Sequence, residues 1–165
     1  MNIVPKKGTV YPISELQYFS NKAATENPQR QLEFCNDLDI STDGQRIYFS
    51  EPFSYEGTSM GGGAFYEAVS LGRNGKLWML DLNKQSIALV AHGYNFIDGV
   101  LLEYPTNQEG LIAADIRESS ILITETTKFS VHRLALRDNV STHILWSSLP
   151  YMPDGLDRDD NGNIW

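Results

Sequence analysis

Three stretches of this chain open alike: Asn36-Asp37-Leu38-Asp39, Asp98-Gly99-Val100-Leu101 and Asp154-Gly155-Leu156-Asp157. The first runs on through Asp43-Gly44 into Ile47-Tyr48-Phe49-Ser50-Glu51, and the third through Asn161-Gly162 into Ile164-Trp165. The second reaches Ile121-Leu122-Ile123-Thr124-Glu125 only after a longer connection, Glu103 to Glu118, which reads as an inserted loop. The period is roughly 55–60 residues, the length of a four-stranded propeller blade with generous loops. A repeat of this kind buries its apolar faces by stacking on its neighbours, so the repetition constrains the fold more than any single motif.

Strand signals fill the repeats. Short β-branched or aromatic runs lie between turn residues, and no window sustains a 3.6-residue apolar period over three turns. The expectation is an all-β chain with at most a helical turn around Phe65-Tyr66-Glu67-Ala68-Val69. Between the first two openings there is room for strands at 38–41, 46–51, 76–81 and 86–91. The next unit repeats this at 99–102, 120–125, 130–136 and 142–146. The organisation expected is a partial β-propeller over 1–165. Residues 1–35 form the outer part of one blade, with a strand at Thr9-Val10-Tyr11; 36–93 and 94–149 are full blades; 150–165 start the next.

The chain carries a net charge of −8, which disfavours nucleic-acid partners, since phosphate backbones are bound by Lys and Arg. Acidity suits cations better, although solubility alone also accounts for it. One cysteine, Cys35, excludes an internal disulfide framework and any multi-Cys zinc site, and its apolar neighbours suggest a buried small side chain. No apolar run approaches the roughly 18 residues of a membrane span. The first residues lack the apolar core of a signal peptide, so the cytoplasm is the expected compartment where Met1 is the natural start.

The segment from Asn36 to Ser50 resembles the "NDLD…DG.IYF" strand pair of strictosidine-synthase-like proteins. Gly75-Lys76-Leu77-Trp78-Met79-Leu80-Asp81 is similar to their "GRLLRYD" strand, Phe96-Ile97-Asp98-Gly99-Val100 to "FPNGV", and Leu122-Ile123-Thr124-Glu125-Thr126 to "LVAET". Leu149-Pro150-Tyr151-Met152-Pro153-Asp154-Gly155-Leu156 is similar to "LPGYPDGI", and a "DGNFW"-like Asn161-Gly162-Asn163-Ile164-Trp165 follows. These matches run in order over most of the chain from about Leu32. The resemblance extends to the superfamily of regucalcin, gluconolactonases and paraoxonases, and it implies about two and a half to three blades of a six-bladed propeller.

In metal-dependent members of that superfamily, the openings of successive inner strands aim Asn and Asp side chains at one Ca²⁺ in the central channel. Carried over by position, the resemblance implies Asn36, Asp98 and Asp154 as ligands of Ca²⁺ or another divalent cation, a hard ion that takes oxygen donors. Asn is usual at the position of Asp98; the carboxylate adds charge. Those enzymes also use a Glu from an early strand, and true strictosidine synthases a catalytic Glu from a later blade; this sequence has no segment for either. Asp154 is the residue implied as a water-activating base. The expectation is therefore part of a calcium-dependent lactonase or esterase-type hydrolase acting on a lactone or ester. The alternative is a non-catalytic binding module, or a degenerate fragment without activity.

Other motifs yield to plainer readings. Asp157 to Ile164 matches half of an EF-hand loop, but the equivalent Asp39 to Gly44 reads as a hairpin turn, and so does this one. Gly61-Gly62-Gly63 lacks the Lys and Ser/Thr of a phosphate cradle and reads as a flexible loop. His92, His132 and His143 lack metal-ligand spacing, and no Gly-x-Ser-x-Gly elbow occurs. Glu51 and Glu125 end equivalent strands and read as structural edge residues. Two or three blades alone would expose strand edges, so the isolated chain is expected to form a homodimer that closes a ring, or to aggregate.

Overall fold

A computed structural model describes residues 34–53, 60–105, 118–136 and 142–165. Its elements are β1 (Leu38–Ile40), β2 (Arg46–Glu51), α1 (Met60–Ser70), β3 (Gly75–Asp81), β4 (Ser86–Tyr94), β5 (Ile97–Glu103), β6 (Ser120–Glu125), a 3-10 turn (Thr126–Lys128), β7 (Ser130–Ala135) and β8 (Thr142–Trp146). The strands form two four-stranded antiparallel sheets, ordered β1-β2-β3-β4 and β5-β6-β7-β8. The expected strand at Thr9-Val10-Tyr11 lies outside the described residues, as does most of the connection from Glu103 to Glu118.

Tight turns built by aspartate follow the openings of the first and third repeats. Asp43 accepts hydrogen bonds from Ser41 Oγ (2.6 Å) and the Gln45 N–H (2.9 Å), and Gly44 supplies the positive φ of 68° that the turn requires. In the third repeat Asp159 does the same for the N–H groups of Asn161 and Asn163, and Gly162 sits at φ 83°. The chain closes there as a hairpin, with Arg158 bridged to Ile164. The half-match to an EF-hand is thus a turn.

Period-2 patterning places the core. Leu38, Ile40, Ile47, Phe49, Trp78, Leu80 and Ile87 share one face of the first sheet through the pairs Leu38↔Phe49, Phe49↔Trp78, Ile47↔Leu80 and Leu80↔Ile87. The opposite face presents Tyr48 and Leu77 to Val100, Leu102, Ile121, Ile123 and Leu134 of the second sheet, and these form one buried cluster. On the second sheet's far face, Leu101, Leu122 and Val131 pack with Leu149, Leu156 and Ile164. The three repeats therefore stack in order, each apolar side chain contributing about 1.5–3 kcal/mol on burial.

Polar contacts run along the seam between the sheets. Asp37 Oδ2 accepts from the Val100 N–H and Asp39 Oδ2 from the Leu102 N–H, each at 2.8 Å. These amides belong to the edge strand of the second sheet and point away from its ladder, so carboxylates of the preceding unit satisfy an otherwise open edge. At the other end, Arg46 Nε donates to Glu118 at 3.1 and 3.2 Å.

Two expectations are corrected. Gly61-Gly62-Gly63 is not a loop but part of α1. A Cβ at Gly63 would overlap the ring of Phe53, which is fully buried, so glycine is what lets the helix settle on that ring. Glu67, also fully buried, accepts from Asn74 N–H (3.2 Å) and Nδ2 (3.0 Å) and ties the helix to the start of β3. Cys35 is exposed along one flank rather than buried. Packing around its sulfur, with the charge of Glu51, still pushes the thiol up to about 11.

Candidate functional site

The openings of the three repeats meet. Asn36 precedes β1, where its N–H donates to the Ser50 carbonyl at 3.0 Å. Asp98 lies in β5 at a bulge between Ile97 and Val100, which turns it out of the regular ladder. Asp154 follows β8 in an extended segment held by two threonines: Thr124 Oγ donates to the Asp154 carbonyl (2.9 Å) and Thr126 Oγ to the Pro153 carbonyl (2.8 Å). Gly99 makes this approach feasible, since a Cβ there would stand 2.6 Å from the Asp154 carbonyl oxygen.

Asn36 Nδ2 donates to Asp98 Oδ1. Burial pushes Asp98 up to about 7; a side-chain hydrogen bond with Asp154 and the charges of Asp154 and Asp37 add to the effect, and the bond from Asn36 opposes it. Asp98 is only 6% exposed, whereas Asn36 and Asp154 open to solvent. An amide and two carboxyls thus converge, with acidic groups dominating the surroundings of Asp98. Two charged carboxylates this close repel, and a bound cation would relieve that repulsion. Each of the three side chains carries an oxygen, which suits Ca²⁺ or Mg²⁺ rather than a thiolate- or imidazole-seeking metal, and Asn36, whose Nδ2 faces Asp98, would turn its Oδ1 to such an ion. Among the described residues no group of three or more His, Cys, Asp or Glu has metal-holding geometry, so any ion here takes its further ligands from water or from residues beyond this trio.

Beside this trio lies a cluster that the sequence did not single out. Glu125 is buried, not an edge residue: its Oε1 accepts from the Asn95 N–H at 2.7 Å and its Oε2 lies 2.9 Å from His132 Nε2. Burial raises the Glu125 pKa, but the hydrogen bonds from His132 and Asn95 outweigh it and hold the carboxyl below the usual range. Ser130 Oγ lies 3.0 Å from the same His132 nitrogen. A hydrolytic relay needs the hydroxyl and the carboxylate on opposite ring nitrogens, so this is a structural knot. Glu51, fully buried at the equivalent position, accepts from Trp78 Nε1 at 3.0 Å and lies 3.8 Å from Lys76 Nζ. The equivalence of the two strand ends was readable; that both carboxylates turn inward was not, because period-2 alternation is broken where the strands end. His92 is exposed on β4 and pairs in register with Lys76, away from the trio.

Consecutive four-stranded antiparallel blades whose inner strands open toward one point define a β-propeller, and the described residues of this chain hold two of its blades and the opening hairpin of a third. In sequence the chain is similar to strictosidine-synthase-like and adipocyte plasma membrane-associated proteins, and in fold to a gluconolactonase-type propeller. Strictosidine synthase-like 10 of Arabidopsis thaliana is 28% identical over 143 residues, which is 86% of this chain and 34% of that protein. Adipocyte plasma membrane-associated protein of Salmo salar is 25% identical over 140 residues, covering 82% of this chain and 30% of that protein. The chain therefore spans about a third of the length of these curated relatives. A solved structure described as a candidate gluconolactonase shares the fold with a TM-score of 0.52 at 18% identity, over 84% of this chain and 43% of that one. No family model matches the chain.

Proposed function

We propose that this chain is part of a calcium-dependent hydrolase of the lactonase or esterase type, with Asn36, Asp98 and Asp154 as oxygen ligands of the cation. The observation that supports this reading most is the hydrogen bond from Asn36 to Asp98 beside Asp154, three repeat openings brought to one point. A bound divalent cation would polarise a lactone or ester carbonyl and stabilise the developing oxyanion. The residues divide the remaining work by environment. Asp98 is buried and holds its place beside Asn36; Asp154 is exposed, with its backbone fixed by Thr124, and is the carboxylate that can reach and activate water.

Calorimetric titration of the folded protein with Ca²⁺ tests the ligand set, with micromolar or tighter binding expected, lost in Asp98→Ala and Asp154→Ala. A flat titration overturns it and favours the non-catalytic binding module. The chemistry is tested on full-length protein with a lactone and an aryl ester: hydrolysis should vanish with chelator and return with Ca²⁺. Activity that survives chelation overturns the metal mechanism.

A further inference from the structure

We infer that Thr124 is the positioning residue that sets Asp98 and Asp154 against each other, an inference that rests on the metal-binding reading above. One hydroxyl makes both connections. Thr124 Oγ accepts from the N–H of Gly99, the residue after Asp98, at 2.7 Å, and donates to the carbonyl of Asp154 itself at 2.9 Å. The side chain is fully buried, so no solvent competes for either bond.

Its neighbours reinforce the same join. The Thr126 N–H donates to the Phe96 carbonyl at 3.1 Å and its hydroxyl to the Pro153 carbonyl at 2.8 Å, a second bridge between the same two segments. Glu125 between them holds the Asn95 N–H. The tripeptide Thr124-Glu125-Thr126 thus pins 95–99 on one side and 153–154 on the other. The arrangement recurs in the first blade: fully buried Ser50, which follows Phe49 as Thr124 follows Ile123, accepts from the N–H of Asp37, the residue after Asn36, at 3.0 Å. In both blades a buried hydroxyl on the second strand fixes the amide that follows the candidate ligand. Only Thr124 also reaches the next repeat.

The test compares Ca²⁺ affinity by calorimetry, and Tb³⁺ luminescence as a second probe of the same site, in wild type, Thr124→Val and Thr124→Ser. Valine keeps the shape and removes both bonds, so affinity should fall at least tenfold, while serine should restore it to within about threefold of wild type. Urea unfolding in chelator separates a loosened site from a loosened fold. Should the valine variant not fold, Thr124→Cys against Thr124→Ser repeats the comparison, because a thiol is the poorer hydrogen-bond former at similar size. Equal affinities in the variants and a calcium-binding wild type overturn this inference alone. A wild type that does not bind Ca²⁺ overturns the metal reading, and this inference with it.

Discussion

The side-chain amide of Asn36 donates to the carboxyl of Asp98 across 62 residues of sequence, from the opening of one blade to the opening of the next. That single bond links repetition to the proposed site. Each repeat opens with an oxygen-bearing side chain, and stacking the repeats brings those openings together without any segment devoted to building a pocket. The cost is a crowded, acidic site: Asp98 is buried against Asp154 and near Asp37, and its carboxyl is pushed up to about 7.

That crowding makes stability depend on pH in a specific direction. The folded carboxyl of Asp98 binds its proton more tightly than an unfolded aspartate near 3.9 does. Between about pH 4 and pH 7 the folded state therefore carries more protons, and stability falls as pH rises through this window. In chelator, thermal unfolding should shift to higher temperature between pH 8 and pH 5.5. Asp98→Asn should flatten the dependence. Added Ca²⁺ should stabilise more at pH 8 than at pH 5.5, because protons compete with the ion. A wild-type midpoint in chelator that rises with pH over this range contradicts the assignment.

The seam between the blades gives a second test. Removing the Asp37 or Asp39 carboxylate leaves the N–H of buried Val100 or Leu102 without its acceptor. Asp37→Ala and Asp39→Ala should each cost about 1–3 kcal/mol in urea unfolding. Asp39→Asn should cost less than Asp39→Ala, since the amide oxygen can still accept from Leu102 and burial already disfavours the Asp39 charge. If the two Asp39 variants are equally destabilised, the bond to Leu102 is not what holds the seam.

Helix α1 offers a contrast between neighbouring glycines. A Cβ at Gly61 meets nothing within 4 Å, whereas one at Gly63 overlaps Phe53. Alanine is the better helix former by about 0.5–1 kcal/mol. Gly61→Ala should therefore raise the unfolding midpoint and Gly63→Ala lower it, although both add the same methyl group to one helix. A shift of the same sign in both would show that Phe53 yields easily.

The parts of this fold legible in the sequence are those carried by repetition and alternation. Strands β2, β3 and β6 were readable because Ile47-Tyr48-Phe49, Leu77-Trp78-Met79-Leu80 and Ile121-Leu122-Ile123 are apolar runs between turn signals. Asn36, Asp98 and Asp154 were readable as equivalent openings, and the structure brings them together. What stayed hidden depends on tertiary contact. Three consecutive glycines are poor helix formers, and only the ring of Phe53 explains a helix there. Thr124 looks like one more β-former in a strand; its two hydrogen bonds join segments 30 and 25 residues away, which no local pattern encodes. His132 likewise reveals its contact with Glu125 only through the β6–β7 register.

The remaining prediction concerns the outer face of the first blade. Leu38 and Ile40 are 54% and 49% exposed, yet their counterparts in the second blade, Val100 and Leu102, are 1% and 3% exposed because the first blade covers them. Leu89, on the same face through its pairing with Trp78, is 40% exposed. The middle of this face is covered, with Phe49, Leu80 and Ile87 at 3%, 4% and 2% exposed, but its rim at Leu38, Ile40 and Leu89 stands open, and exposed apolar side chains on a sheet drive association. The isolated chain is accordingly expected to self-associate, as a dimer or as larger species, with apparent mass rising with concentration in light scattering. Replacing both Leu38 and Ile40 by Lys should reduce that association while leaving the second blade's buried cluster intact, as judged by unchanged near-ultraviolet circular dichroism. A wild-type chain that stays monomeric at every concentration would show that this face does not drive assembly.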